Sequence, residues 1–492
     1  MRVGVWCVLA GLGGWGCGGV VEDVSAPEKA QVRQSQACAP GAVYKVKDIL
    51  PPEAPLPSPW SPVPDWLTNA QGTLFFTADL YPDRSILWRS DGTSEGTVPV
   101  REFVGAGPGS QGLASLTAVG TRVFFLVSDS LFGRELWVSD GTNAGTRLVR
   151  DLAVGTGSSY LSNLQAVGNV LTFFRRPSVD GPVELWRSDG TEAGTFRLRD
   201  FGTQYYLVPH VRPVPGQRLF ILQDAANGTA LWRTDGTAGG TVLVKRLDAG
   251  QISMMGSTHA DTGWSVFILH DQGPITEVWR TDGTPGGTVR LESFGGSLGL
   301  LGVLGGHVYL SAATPDGAGL RISRVSLTGG DKATVTTVPN RFAGEPGAWP
   351  FVQMSTVAGG RLYWSMGIGT PGPAPREVGL WSTDGTASGT WELARGLNTS
   401  DERSSPLLNT GAGTLLFSNS DGMTGLEPWV TDGTPGRTGL VADLTPLGGS
   451  RPEAFTRVGS TVFFRAYSNT RGDALWAMPA NVTCRTQAVD AR

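Results

Sequence analysis

Glu135-Leu136-Trp137-Val138-Ser139-Asp140-Gly141-Thr142 decides the architecture of this chain, because the chain writes it repeatedly. The phrase returns as Leu87-Trp88 through Asp91-Gly92-Thr93, Leu185-Trp186 through Asp189-Gly190-Thr191, and Leu231-Trp232 through Asp235-Gly236-Thr237. It returns again as Val278-Trp279 through Asp282-Gly283-Thr284, Leu380-Trp381 through Asp384-Gly385-Thr386, and Pro428-Trp429 through Asp432-Gly433-Thr434. A second Gly-Thr usually follows two residues later. Trp88, Trp137, Trp186, Trp232 and Trp279 are separated by 49, 49, 46 and 47 residues, and Trp381, Trp429 and Trp476 by 48 and 47. The wider gap between Trp279 and Trp381 holds a decayed unit, Gly319-Leu320-Arg321-Ile322-Ser323, which lacks both the Trp and the Asp-Gly-Thr. Self-similarity at such a period marks one supersecondary unit copied along the chain.

Working outward from Trp137, each unit reads as four short strands. Leu113 to Val119 is a short apolar segment ended by Gly120, and Val123-Phe124-Phe125-Leu126-Val127 is a β-branched and aromatic run of strand length. Glu135 to Ser139 is the third strand, and Asp140-Gly141-Thr142 reverses the chain into Arg147 to Asp151, the fourth. Asp-Gly signals a hairpin because Gly accepts positive φ and Asp bonds its own backbone two residues on. Four strands per 46 to 49 residues, with no helical periodicity, predict an all-β fold. The expectation is a single β-propeller of about nine four-stranded blades, or eight if the decayed unit is an excursion. Two smaller rings broken near Leu320 are a further alternative.

The ring is expected to close on itself. Val43-Tyr44-Lys45-Val46-Lys47-Asp48-Ile49 resembles the fourth-strand sequence Arg147 to Leu152, and the last unit stops after Ala474-Leu475-Trp476-Ala477-Met478. The N-terminal strand is therefore expected to complete the last blade, with Cys38 and Cys484 about where the missing hairpin would be. A disulfide between them would stabilise by about 3–5 kcal/mol in the chain-entropy picture.

These phrases resemble the ELWxxDGT repeat of exported proteins from myxobacteria and their relatives. Glu135 to Thr142 and Glu184 to Thr191 match that pattern at every fixed position, and the resemblance covers nearly the whole mature chain. It implies an exported, surface-associated repeat protein and says little of activity. The unit around Leu320 departs from the pattern.

The ends and composition add the setting. Arg2, the apolar run Val3 to Leu12 and the small residues Gly13 to Cys17 read as an export signal over residues 1–16, with Cys17 as a lipidation site and Cys7 discarded. Plain secretion is the alternative, because Gly14 and Trp15 depart from the usual lipobox. Residues 17–42 then read as a linker, 43–484 as the propeller and 485–492 as a tail. An exported chain meets an oxidising compartment, which favours pairing of Cys38 and Cys484. Net charge of −4 gives no basic footprint for nucleic acid. Membrane contact is expected only through a lipid on Cys17.

Chemistry-bearing residues have structural readings that outweigh catalytic ones. Asp91, Asp140, Asp189, Asp235, Asp282, Asp384 and Asp432 could bind calcium, but one carboxylate per hairpin cannot gather six to eight oxygens, so they are expected to cap their own turns. Trp88, Trp137, Trp186, Trp232, Trp279, Trp381, Trp429 and Trp476 could stack on sugars or a quinone, but their repetition predicts packing between sheets. His210, His259, His270 and His307 form no ligand motif, and no Gly-x-Ser-x-Gly elbow accompanies the Ser and Asp residues. Gly295 to Gly299 reads as a loop, Asn481-Val482-Thr483 as an idle sequon, and the proline-rich run from Pro51 to Pro64 as a stiff loop insertion. No catalytic residue, metal or cofactor is expected. The sequence predicts a monomeric, non-enzymatic binding scaffold in the cell envelope whose partner is a protein or polysaccharide. Alternatives are a propeller enzyme acting on glycans, a quinoprotein, or an outer-membrane assembly scaffold.

Overall fold

The computed structural model describes residues 36–37, 43–50 and 62–484, apart from 81–83, 105–111, 209–210, 225–227, 248–251, 260–262, 272–274, 370–376, 398–406, 447 and 470–471. Its strands form nine antiparallel four-stranded blades in a ring, a nine-bladed β-propeller. Blade 2 is typical: Leu113–Val119, Arg122–Asp129, Gly133–Ser139 and Arg147–Arg150 pair in that order. Blades 1, 3, 4 and 5 occupy 64–104, 161–200, 205–247 and 252–295, and blades 7 and 8 occupy 350–395 and 407–440. The decayed unit is a full blade, blade 6 (299–339), which rules out both the eight-bladed count and the two-ring alternative.

Blade 9 is built from both ends of the chain. Glu453–Val458, Thr461–Ser468 and Gly472–Pro479 supply three strands, and Tyr44–Asp48 supplies the fourth through Lys45↔Trp476 and Lys47↔Leu475. Ahead of that strand, Gln36–Ala37 adds a short parallel strand to the outer edge of blade 8, against Gly439–Leu440. Cys7, Cys17, Cys38, the export signal, the tail and most of the proline-rich run lie outside the described residues.

A sheet of this size cannot bury both faces alone, so the core lies between blades. Nine apolar clusters occupy the nine junctions, including one that joins Val46, Ile49 and Phe463 of blade 9 to Leu74, Phe76 and Trp88 of blade 1. Alternation along the third strand sorts its side chains: Trp137 faces blade 1 while Leu136 faces blade 3. Directly across from each repeated Trp, the second strand places an aromatic: Phe76, Phe125, Phe173, Phe220, Phe267, Trp364, Phe417 or Phe464. Phe267 and Trp279 lie nearly parallel at 6.4 Å, and such pairs add about 0.5–1.5 kcal/mol beyond buried area. Blade 6 has Leu310 opposite Ser323 instead, so neighbouring packing carries that blade without an indole.

The Asp-Gly-Thr hairpin closes on its own polar groups. Asp140 Oδ1 accepts from the Thr142 N–H (2.9 Å) and hydroxyl (2.7 Å), and Thr142 Oγ1 accepts from the Gly145 N–H (2.9 Å). Thr146 donates to the Thr142 carbonyl at 2.6 Å, and the Ser139 hydroxyl pairs with the Thr146 hydroxyl at 2.7 Å. Each Gly has its own reason. Gly141 sits at φ +90, where a Cβ would lie 3.2 Å from Phe75 of the preceding blade, so the tip rests on its neighbour. Gly145 has no room because a Cβ would fall 2.1 Å from the Asp140 carboxylate. Where Arg437 replaces that second Gly, the tip becomes a short 3-10 turn at Pro435–Arg437, and Arg437 reaches the Asp432 carboxylate at 3.3 Å.

A cation on the fourth strands of blades 9, 1, 2, 3 and 4 then latches the next blade. Lys47, Arg101, Arg150, Arg199 and Lys245 donate to the carbonyls of Thr97, Thr146, Thr195, Thr241 and Thr288 at 2.8, 2.7, 2.8, 3.3 and 2.7 Å. Arg101, Arg199 and Lys245 also stand 5.0, 4.7 and 5.8 Å from the ring centres of Trp137, Trp232 and Trp279. Lys47 belongs to the N-terminal strand, so the covalently open joint uses the same latch as the closed ones. A paired substitution checks this account of the hairpin. Gly287→Ala puts a Cβ 2.0 Å from Asp282 Oδ1, whereas Gly286→Ala meets nothing within 4 Å. The first is expected to lower the guanidinium midpoint by the equivalent of about 2 kcal/mol or more, and the second by under about 0.5 kcal/mol.

Candidate functional site

The two faces of the ring differ in kind. On one face lie the Asp-Gly-Thr tips and the turns joining first to second strands, such as Ala70-Gln71-Gly72-Thr73. On the other lie the connections between blades and between second and third strands, which range from three residues, as at 130–132, to twelve and more, as at 441–452. The tip face satisfies itself. The loop face is irregular and exposes Tyr160, Tyr206, Trp349 and Tyr467 one at a time. On the tip side the exposed aromatics Tyr44, Phe196 and Trp391 all begin fourth strands, at the outer rim.

First strands are innermost, since those of neighbouring blades touch one another around most of the ring, including that of blade 9 against that of blade 1. At their loop-face ends the backbone does something unusual. Trp66, Ser115, Asn163 and Ala454 sit at φ 53, 63, 52 and 56 in the first strands of blades 1, 2, 3 and 9. Each starts a bulge, marked by the register shifts Asp65/Thr68, Ala114/Thr117, Ser162/Gln165 and Glu453/Thr456. The next residue turns inward: Leu67, Leu116, Leu164 and Phe455 pack in the blade junctions. Thr68, Thr117 and Thr456 hydroxyls hold the carbonyls of Trp66, Ser115 and Ala454 at 2.8, 3.1 and 3.0 Å. Tyr160 and Arg451, three residues upstream in blades 3 and 9, are left-handed as well, at φ 51 each. Among the described residues, only Gln71 adds to these six as a left-handed non-glycine. Such conformations cost of order 1–3 kcal/mol each for a residue with a side chain, and they cluster at functional sites.

A charged network fills the junction of blades 9 and 1 beside Trp66. The Arg465 guanidinium is bonded to the Glu453 carboxylate and lies 3.6 Å from Asp65 Oδ1, and the Trp66 N–H donates to Asp65 Oδ1 at 2.9 Å. Burial raises the Asp473 carboxyl above its ordinary range despite Arg465 and Arg451 nearby. Asp79 is raised by burial too; the Ser85 hydroxyl bonded to it opposes the shift and the charge of Asp65 adds to it.

Two buried glutamates pin loop-face connections. Glu135 accepts from the Ser159 hydroxyl and, at 3.3 Å, from the Leu152 N–H. Glu427 repeats the arrangement with the Ser450 hydroxyl at 2.5 Å and the Leu444 N–H at 3.2 Å. Where the connection is short, the equivalent Glu184 turns instead to the Trp186 indole N–H at 2.9 Å and to Arg197 at 2.7 Å.

The residues singled out from the sequence fall on the scaffold. Asp91, Asp140, Asp189, Asp235, Asp282, Asp384 and Asp432 each accept from the Thr two residues on, and none gathers with another. The eight Trp residues lie in blade junctions. His270 pairs with Thr276 and His307 with Asp331, on separate blades; His210 and the side chain of His259 are outside the described residues. Among the described residues no three His, Cys, Asp or Glu side chains are grouped to hold a metal ion. The left-handed inner positions were missed because periodic Trp and Asp-Gly-Thr draw attention to third and fourth strands. The signal was the apolar-Thr pair that follows them, as in Leu67-Thr68, Leu116-Thr117 and Phe455-Thr456.

No family model and no curated protein matches the chain. Among solved structures it is similar to an oligogalacturonate lyase in complex with manganese, at 14% identity over 63% of this chain and 85% of that one, with a TM-score of 0.36. A prolyl endopeptidase structure gives 12% identity over 75% and 54%, with a TM-score of 0.40. A puromycin hydrolase gives 13% over 76% and 54%, with a TM-score of 0.36. The chain thus spans about half the length of the latter two. Similarity at this level carries no argument about activity.

Glu135 makes one property measurable. Burial pushes its carboxyl to about 7 from an ordinary 4.5, the Ser159 and Leu152 hydrogen bonds opposing it. The folded state then holds an extra proton between about pH 4.5 and 7, so this group's contribution to stability is full below that window and falls as pH rises through it. Denaturant midpoints measured from pH 4.5 to 8 should decline less steeply for Glu135→Gln than for the wild type.

Proposed function

We propose that this chain is an exported, non-enzymatic binding propeller of the cell envelope, and that its ligand surface is the loop face. The asymmetry of the two faces carries the reading. Seven hairpin tips consume their own polar groups, whereas the opposite face varies from blade to blade and carries Trp66, Ser115, Asn163 and Arg451 near the loop-face ends of the inner strands. Variable loops held by a rigid scaffold are where binding residues concentrate. The charged groups are engaged within the scaffold: Arg465 is committed to Glu453 and Asp65, and the Ser85 hydroxyl that bonds Asp79 is fully buried.

The sequence pattern supports membership among ELWxxDGT repeat proteins, with residues 1–16 removed and Cys17 carrying the anchoring lipid. A Cys38–Cys484 disulfide is part of the same reading. Cys484 is buried at 4% exposure and its sulfur is disulfide-bonded; it lies in the cluster between blades 8 and 9. Cys38 follows directly on Gln36–Ala37, the strand clipped to blade 8. A clasp there ties the ring-closing strand to the last turn of the chain, and the mature protein is expected to act as a monomer.

Polymer conjugation at single introduced cysteines tests which face binds. Met423→Cys places the polymer on the loop face and Glu95→Cys on a hairpin tip. Retention of envelope glycans and proteins should vanish with the first conjugate and persist with the second. Equal loss from both, or turnover of any retained glycan, would count against the reading. Intact mass should show a mature chain that is lipidated at Cys17 and gains two hydrogens on reduction.

A further inference from the structure

We propose that the left-handed positions on the inner strands of blades 9, 1, 2 and 3 form a glycan-binding site across the channel mouth, with Trp66 as its stacking platform. The inference rests on the loop face being the ligand surface and names the ligand class and the residues.

The internal repeats supply the argument, because each blade is a control for the others. At the Trp and Asp-Gly-Thr positions the residue is constant and its packing explains it. At the left-handed position the backbone is constant but the residue is not: Trp66, Ser115, Asn163 and Ala454 share one φ. A chain with 70 glycines has the strain-free residue at hand, yet four adjacent blades keep a side chain there. The scaffold needs only the turn inward of the next residue, which Gly would serve better. What is retained is therefore the side chain itself, at the free edge of the strand that borders the axis. Tyr160 and Arg451 repeat the pattern three residues upstream.

The chemistry on offer selects the ligand. Trp66 and Tyr160 are 36% and 61% exposed and stand on blades 1 and 3, with blade 2 between them. A docked protein needs a contiguous desolvated centre, which single rings do not make. An extended peptide would add to a strand edge, but the bulges interrupt that edge in each of the four blades. A sugar ring needs one aromatic face for its C–H groups and hydrogen-bonding partners around its rim. Ser115 and Asn163 on the inner strands of blades 2 and 3, with Arg451 of blade 9, supply those partners around the ring from the indole.

Binding of the intact protein to immobilised hexasaccharides of glucose, N-acetylglucosamine and galacturonate tests this, alongside thermal melts. At least one hexasaccharide should bind, and Trp66→Ala should weaken it tenfold or more. Ser115→Gly and Asn163→Gly should weaken it several-fold while raising the melting temperature, since they relieve backbone strain. Gln71→Gly relieves the same strain on the tip face and should raise the melting temperature with no change in binding. If glycan binding survives Trp66→Ala and Tyr160→Ala but is lost on conjugation at Met423→Cys, this site is wrong while the loop-face reading stands. Loss on conjugation at Glu95→Cys alone would overturn both. Failure of all three glycans to bind, or displacement of the bound one by a peptide or protein, would overturn the glycan assignment.

Discussion

Most junctions of this ring depend on one blade gripping the hairpin of the next. A propeller blade has no means of completing its own core, so the geometry of the junction decides whether a ring forms at all. At its fullest the grip has three parts acting on one hairpin: an aromatic under its tip glycine, a cation on its last carbonyl, and an indole buried against the preceding blade. Phe75 under Gly141, Arg101 on the Thr146 carbonyl and Trp137 between blades 1 and 2 illustrate all three at once. Such interactions are individually modest, the hydrogen bonds to a charged donor contributing about 1.5–3 kcal/mol. Repetition around the ring makes them decisive.

The same grip explains why the ring can be sealed without a covalent hairpin. In blade 9 the fourth strand arrives from the other end of the chain, so nothing local fixes its register. Lys47 fixes it by reaching the Thr97 and Ser94 carbonyls, at 2.8 and 2.9 Å, while Val46 and Ile49 enter the apolar junction. The strand is thus held by the blade it faces as much as by the sheet it completes. Blade 6 shows the converse. Having lost the indole and the Asp-Gly-Thr, it keeps its place because Tyr309 still meets Gly385 of blade 7 and Arg280 of blade 5 still reaches the Leu327 carbonyl. A blade can lose its signature if its neighbours keep theirs.

Most of the architecture could be read from the sequence because the repeated residues are those the junction constrains on both sides. Trp137 has a fixed partner across its own sheet and another across the junction, so it recurs. The closing strand was legible because Lys47-Asp48 echoes Arg150-Asp151, although the latch that this basic residue makes was not. A lone cation reads as a solvated strand residue until its acceptor is placed. Blade 6 could be counted but not shaped from its sequence, since Ser323 and Leu310 carry no periodic mark. Gln36–Ala37 was assigned to a linker and proves to be a strand on blade 8, because two residues hold too little pattern to reveal pairing. Glu135, Glu184 and Glu427 occupy one motif position yet serve different partners, a choice made by the length of the following connection.

The division between legible and illegible follows the division between scaffold and site. Positions that pack are repeated, whereas positions that meet a ligand must differ from blade to blade if the surface is to recognise anything less symmetric than itself. Repeat reading therefore recovers the first set and passes over the second. In this ring the second set is recognisable by another mark, a backbone conformation held in common while the side chains diverge. Strain at Trp66, Ser115 and Asn163 is tolerated because the junctions around them are closed nine times over, with Leu67, Leu116 and Leu164 anchored on the inward side of the same turn. The regularity of the scaffold is what permits the irregularity of its mouth.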